Sequence, residues 1–287
     1  MNNQFEYQYG GWTMGIQKPT KTVADTYASR ETIQSIIHSV AMKEVMLDKA
    51  MPRYILKSML SGFLLTIVTV FMLAMKTQMA GALPGVVNLM GATAFSIALV
   101  FIVLTQAELL TSNFMYMTVG LYYRTVSFGK TMWLFTICFL GNILGAFVLF
   151  ILMYFTKVMT PEMVTALTST VDAKTVASTW QAILVKAIFA NFFINIGIYV
   201  SMQFKEGLSK TFFIAIGVII FVFMGYEHVV YNAGLFVGML FYNFDAASWL
   251  GVLKNIVFAF IGNYIGGGIF VGLLFAYFNG TRHIEQK

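Results

Sequence analysis

From residue 57 to residue 277 the chain is a succession of apolar runs parted by short polar segments. The runs are as long as the ~20 residues that an α-helix needs to cross the hydrocarbon core of a bilayer, or longer. Strands of an outer-membrane barrel would instead alternate apolar and polar residues over ~10 positions. The pattern therefore predicts an all-α polytopic membrane protein. Composition points the same way: 59% of the 287 residues are hydrophobic and 10% are charged, against ~25% charged in soluble domains. The net charge of +6 fits basic loops on the cytoplasmic side of a membrane rather than nucleic-acid binding.

The runs predict six transmembrane helices, at 57–75, 85–123, 132–155, 183–202, 211–243 and 253–277. Two of them have the wrong length. As one continuous helix, 85–123 would be roughly 55 Å long, too long for one crossing of ~30 Å and too short for two. Its middle holds Gln106, Glu108, Thr111, Ser112 and Asn113, and the middle of 211–243 holds Glu227, His228 and Asn232. Both are read as single spans, so the second and fifth helices are broken at these polar residues. Ahead of the spans, 1–28 reads as loosely ordered and 29–50 as an amphipathic helix on the membrane surface or under the bundle. Ser29 caps that helix, Ile33, Ile36, Ile37, Val40, Val45 and Met46 lie along one side, and Pro52 ends it. The expected organisation is a cytoplasmic N-terminal segment (1–56), a six-helix channel domain (57–279) and a cytoplasmic tail (280–287). No cleavable signal peptide is visible. Of the 18 Lys and Arg residues, 13 fall on the side that holds both termini, which makes that side cytoplasmic.

An ionisable side chain in mid-span costs at least ~2.5–3.5 kcal/mol on insertion scales and usually marks a substrate or proton path. Glu108, Glu227 and His228 are such residues. The inert alternative is that Glu227 and His228 only join packed helices. His38 and His283 read as solvated or packing residues. Cys138 is the sole cysteine, so no disulfide forms within the chain and no cysteine metal cluster exists. No two histidines are four apart and no glycine-rich phosphate loop ends in Lys-Ser/Thr. These observations predict no enzyme activity, no catalytic residue, no metal and no cofactor.

The chain also repeats itself. Glu108 precedes Asn113 by five residues, and Glu227 precedes Asn232 by five. Gly141-Asn142-x-x-Gly145 in the third span recurs as Gly262-Asn263-x-x-Gly266 in the sixth. Three spans per half make such a repeat inverted, as in many transport proteins whose interrupted helices flank a central site. An unwound turn inside a bilayer is tolerated only against protein or a water-filled cavity. The half-helix after it offers free N–H groups to an anion.

Glu108-Leu109-Leu110-Thr111-Ser112, Ala190-Asn191 and Gly225-Tyr226-Glu227-His228-x-x-x-Asn232 resemble the signatures of the formate/nitrite transporter family, over about residues 29–280. The resemblance implies an aquaporin-like fold in a bacterial cytoplasmic membrane and a homopentamer with one pore per protomer. It implies transport of small monovalent anions of weak acids, formate foremost, with nitrite, hydrosulfide or lactate as alternatives. The aquaporins' own Asn-Pro-Ala pair is absent; a neutral-solute channel for ammonia or water is the reading from another class. Carried over, the resemblance makes His228 the pore centre, with Thr111 and Asn191 as hydrogen-bonding neighbours and Glu108, Glu227 and Asn232 shaping the breaks. It sets Phe95 and Phe221 at one constriction and Leu99, Leu109 and Ile194 at the other, with Lys174 attracting anions. Tyr231 stands where smaller residues are common in formate and nitrite members. A histidine at the centre suits proton-coupled transport, because its unperturbed pKa lies near 6.5.

Overall fold

The computed structural model of the chain describes residues 30–279, and every regular element among them is a helix. The expected loose segment at 1–28, the cap at Ser29 and the tail at 280–287 with His283 lie outside the described residues. The helices are α1 (Arg30–Lys49), α2 (Met51–Gln78), α3 (Pro84–Leu104), α4 (Leu110–Tyr122), α5 (Phe128–Thr156), α6 (Pro161–Thr175), α7 (Trp180–Ser201), α8 (Gly207–Phe223), α9 (Val229–Tyr242) and α10 (Trp249–Phe278). Five of them, α2, α3, α5, α7 and α10, are long and apolar enough to cross a membrane. Large apolar side chains such as Phe71, Leu140, Leu152, Phe155, Leu208 and Leu250 stand on the exterior. A surface that apolar needs lipid or another protein against it. The chain is an integral membrane protein.

Helix α1 is amphipathic, with Ile33, Ile36, Val40 and Leu47 buried on one face. Val45 is not part of that face and is 47% exposed. Five residues from Val40 is ~500° of helical rotation, which turns the side chain well off the stripe, whereas the seven to Leu47 bring it back. The polar stretch 157–179 contains α6. Thr160 Oγ1 accepts from Met163 N–H (3.3 Å), and Pro161 opens the helix. Leu167 and Val171 bury its inner face.

Two close helix crossings organise the interior, α2 against α5 and α7 against α10. Glycines make both possible. A Cβ at Gly145 would lie 1.9 Å from the Met59 carbonyl oxygen, and one at Gly266 would lie 2.0 Å from that of Ile188. The glycines of α10 therefore serve packing within the chain, where small residues let backbones touch. Between Tyr264 and Leu273 α10 widens into a π-helix. This wide turn lays Gly267 against the side-chain amides of Asn191 and Asn195.

Gly266→Ala is expected to force α7 and α10 apart. Overpacking of this kind costs ~1–3 kcal/mol or more. The check is thermal unfolding in detergent, where the midpoint should drop clearly below that of wild type, while alanine at exposed Gly129 should leave it in place.

Candidate functional site

Helices α3 and α8 stop in the same manner. Gln106 N–H donates to the Val103 carbonyl (3.1 Å) and Ala107 N–H to that of Ile102 (3.0 Å). Gly225 N–H donates to Val222 (3.0 Å) and Tyr226 N–H to Phe221 (3.0 Å). Gln106 and Gly225 are left-handed, with φ of 54° and 64°. This is a Schellman-type ending, which satisfies the last carbonyls of a helix. Glycine adopts that conformation freely, whereas glutamine accepts a cost of roughly 1–2 kcal/mol. The polar residues thus divide between two settings. Residues 105–109 and 224–228 form the non-helical links, while Thr111, Ser112, Asn113 and Asn232 already belong to the first turns of α4 and α9.

Several other helices cap themselves: Ser127, Thr160, Thr179 and Ser248 accept from the first turns of α5, α6, α7 and α10. Helix α4 starts inside the protein after Leu109, which has no side-chain acceptor. Asn142 of α5 supplies one. Its Oδ1 accepts from Leu110 N–H (3.1 Å), and its Nδ2 donates to the carbonyls of Ser58 and Glu108 (2.8 Å each). Asn263 of α10 does the same for α9. Its Oδ1 accepts from Val229 N–H (2.8 Å), and its Nδ2 donates to the carbonyls of Ala187 (2.8 Å) and Glu227 (2.9 Å). Each link is tied to two neighbouring helices through one amide side chain.

Each link also carries a carboxylate that holds a lysine and an asparagine. Glu108 Oε2 accepts from Lys43 Nζ of α1 (2.5 Å) and Asn113 Nδ2 (3.1 Å). Glu227 Oε2 accepts from Lys174 Nζ of α6 (2.9 Å), Asn232 Nδ2 (2.6 Å) and Asn255 Nδ2 (3.3 Å). Removing one partner of a buried ion pair is far more costly than the pair's net worth, because the other charge is left in a poor solvent. Glu227 and Lys174 are 2% and 8% exposed.

Between the two clusters lies His228, whose Nε2 is 2.8 Å from Thr111 Oγ1. The Tyr231 N–H donates to His228 Nδ1 (3.1 Å), so the imidazole caps α9. A backbone N–H only donates. Nδ1 therefore carries the lone pair, the hydrogen sits on Nε2, and the resting ring is neutral with Nε2–H donating to Thr111. Asn191 does not bond the imidazole. Its Nδ2 donates to the carbonyls of Thr111 (3.1 Å) and Asn263 (2.7 Å), and its Oδ1 accepts from Asn195 (2.9 Å). With those groups engaged by the frame, it fixes Thr111 rather than His228.

Phe95 and Phe221 meet edge to face at 6.1 Å, and Phe221 stacks on His228 at 5.8 Å. Tyr231 joins them, 5.0 Å from Phe95 and 5.4 Å from Lys174 Nζ. Leu99, Leu109 and Ile194 are buried. A cavity of about 450 Å³ opens beside Glu108, and His38, Lys43, Lys57, Tyr116 and Ile198 are among its lining residues. Ile198, one turn beyond Ile194 on α7, lines this cavity.

Sequence reasoning missed Lys43, Asn255 and the capping work of Asn142 and Asn263. The signal for the last two was in hand, since both stand in the repeated Gly-Asn-x-x-Gly element. Lys43 gave none, because a lysine on an amphipathic surface helix is ordinary until the fold brings it to Glu108.

Residues 30–277 match the family model described as "Formate/nitrite transporter". The chain is 30% identical over 190 residues to the nitrite transporter NirC of Salmonella typhimurium, covering 66% of this chain and 70% of that protein. Among solved structures it is similar to an "FNT family ion channel", with a TM-score of 0.80 and 24% identity over 86% of this chain and 98% of that one. It is also similar to a "Pentameric formate channel with formate bound", with a TM-score of 0.69 and 20% identity over 79% of this chain and 96% of that one.

Asn263→Ala would leave Val229 N–H and two carbonyls without their partner, at ~1–3 kcal/mol for each buried group. Hydrogen–deuterium exchange should rise sharply across the first turn of α9. The first turn of α4, held by Asn142, should keep its protection.

Proposed function

The chain belongs to the formate/nitrite transporter family, and from that premise we propose that it carries a small weak-acid anion together with a proton, formate foremost. Nitrite is the runner-up. The reading counts α3 with α4, and α8 with α9, as one interrupted crossing each, which makes six spans in two inverted halves. It puts both termini on the cytoplasmic side of a bacterial membrane, with 1–56 as the N-terminal segment. It takes the assembly to be a homopentamer with a pore in each protomer. Likeness of fold to a pentameric formate channel supports this, as do the apolar exteriors of α5 and α10.

The observation that carries the reading is the neutral Thr111–His228 pair, buried between two ion-paired carboxylates and next to the Phe95–Phe221 contact. A bare anion meets a large desolvation cost at such a contact. Phe95 and Phe221 form one constriction; Leu99, Leu109 and Ile194 form the other. Lys174 assists entry, sharing its charge with Glu227. Glu108, Asn113 and Asn232 keep the two breaks in shape.

Protonation of His228 Nδ1 displaces the Tyr231 N–H and creates a buried imidazolium. That charge is costly alone and acceptable beside an anion. Proton and anion therefore favour each other's arrival. Transfer of the Nε2 hydrogen to the anion gives a neutral acid, and the imidazole is left neutral with its hydrogen on Nδ1. The acid then passes the apolar constriction, and a tautomer exchange restores the Tyr231 bond.

The test is uptake of labelled formate, nitrite, lactate and hydrosulfide into proteoliposomes, with and without a pH gradient. Wild type should accumulate formate when the outside is acidic. Asparagine is a good N-cap and can still accept from Tyr231 N–H, so His228→Asn should fold and keep its polarity. Its gradient-driven uptake should fall at least tenfold, while a pH-independent leak persists. Formate uptake by His228→Asn with the wild-type response to pH would make the histidine a structural partner only. A channel that passes ammonia or water and none of the four anions would sink the reading.

A further inference from the structure

With Lys174 held 2.9 Å from Glu227, the charges of that pair largely cancel at a distance, and an arriving anion must compete with the carboxylate for the ammonium. A second ammonium lies close by without such a partner. Lys76, in the last turn of α2, is only partly buried and makes no hydrogen bond or ion pair with any described residue. Its stem runs over α3 at Gly91, where a Cβ would lie 3.7 Å from Lys76 Cε and 3.4 Å from Met72 Cγ. Gly91 precedes Phe95 by four residues, and so lies on nearly the same helix face about 6 Å nearer the Pro84 end. Lys76 thus reaches the approach to Phe95 from the side opposite Leu99. The charge of Lys174 is felt at Lys76, in keeping with both ammonium groups lying toward the Phe95–Tyr231 contact.

Tyr231 is the third group there. Its ring lies between Phe95 (5.0 Å) and Lys174 Nζ (5.4 Å). Its hydroxyl makes no hydrogen bond with any described residue, unlike the hydroxyl of Tyr123, which donates to the Ala276 carbonyl. A hydroxyl without a protein partner beside that ring contact is a donor free to meet a solute.

We propose that Lys76 and the Tyr231 hydroxyl form an anion-binding site outside the Phe95–Phe221 contact, where a two-oxygen anion such as formate or nitrite waits before it meets His228. This rests on the anion-channel reading above. An ammonium and a phenol O–H are both donors, and together they match the two acceptor oxygens of a small planar anion. Hydrosulfide, with one heavy atom, has no second oxygen to offer them. Tyr231 then has a use that explains a bulky residue beside the pore centre.

Initial rates of labelled formate uptake into proteoliposomes, over a concentration series, test the site. In Lys76→Gln the half-saturating concentration should rise about fivefold at low ionic strength, the effect of one unit charge near contact in a watery setting. Lys76→Arg should recover most of that loss. At ~1 M salt, where the screening length is ~3 Å, the difference between Lys76→Gln and wild type should shrink. Tyr231→Phe removes only the oxygen and should raise half-saturation for formate and nitrite at both salts, with hydrosulfide less affected. Should Lys76→Gln fail to fold, the Tyr231→Phe series decides alone. Wild-type half-saturation in Lys76→Gln at low salt, or in Tyr231→Phe for formate, would overturn the proposal. So would a fall confined to the maximal rate, which would make both residues packing elements. Wild-type vesicles that take up neither formate nor nitrite would instead remove the channel reading itself.

Discussion

Everything in the interior depends on one rule: in a hydrocarbon solvent every peptide group must find a partner. A helix meets that rule within itself, and a helix that stops in the interior does not. The chain stops two helices there, after Leu104 and Phe223, and starts two more, at Leu110 and Val229. The stops are closed locally by left-handed turns at Gln106 and Gly225. The starts borrow amides from distant helices, Asn142 and Asn263. Those amides reach the links because α2 and α5, and α7 and α10, approach to backbone contact at Gly62, Gly145, Gly262 and Gly266. Close packing, capping and the two links are therefore one construction.

The same logic governs charge. Each link presents a carboxylate, and each carboxylate is met by a lysine from a helix outside the central bundle, α1 for Glu108 and α6 for Glu227. Neither α1 nor α6 is among the helices long and apolar enough to span. Their contribution is to bring a cation to a buried acid. Lys174 lies in the last turn of α6, where the helix dipole also favours a cation. A surface element is thus bound into the centre by its longest side chain.

How much of this was legible in the sequence follows from which residues carry it. The links fall where Glu108 and Glu227 interrupt apolar runs, and an ionisable group in such a run stands out without any structure. Thr111 and Asn232 stand out equally, yet they are helical, because the chain resumes its helix as soon as an outside amide satisfies the first N–H. That amide comes from residues 32 and 34 positions away, beyond the range of any local pattern. Helix α6 was readable and overlooked: Thr160-Pro161-Glu162 is an N-terminal signature, obscured by the polar composition around it. Lys43 was invisible for a different reason, since its partner is 65 residues away. Asn191 was read toward the imidazole and turned to the backbone instead, because two carbonyls and Asn195 claimed its amide first.

The pairing of both interior carboxylates has a further meaning for what can pass. Because each carboxylate is cancelled by its lysine, the two pairs contribute little net field at His228 to welcome an anion of any radius. For the proposed passage of acid and proton together, the discriminating property becomes the willingness of the anion to be protonated. Chloride and nitrate are of comparable size to formate and nitrite, but their conjugate acids release the proton too readily to be neutralised by an imidazolium. A conduit of this kind sorts solutes by acid strength, and leaves the common strong-acid anions of the cell where they are without having to recognise them.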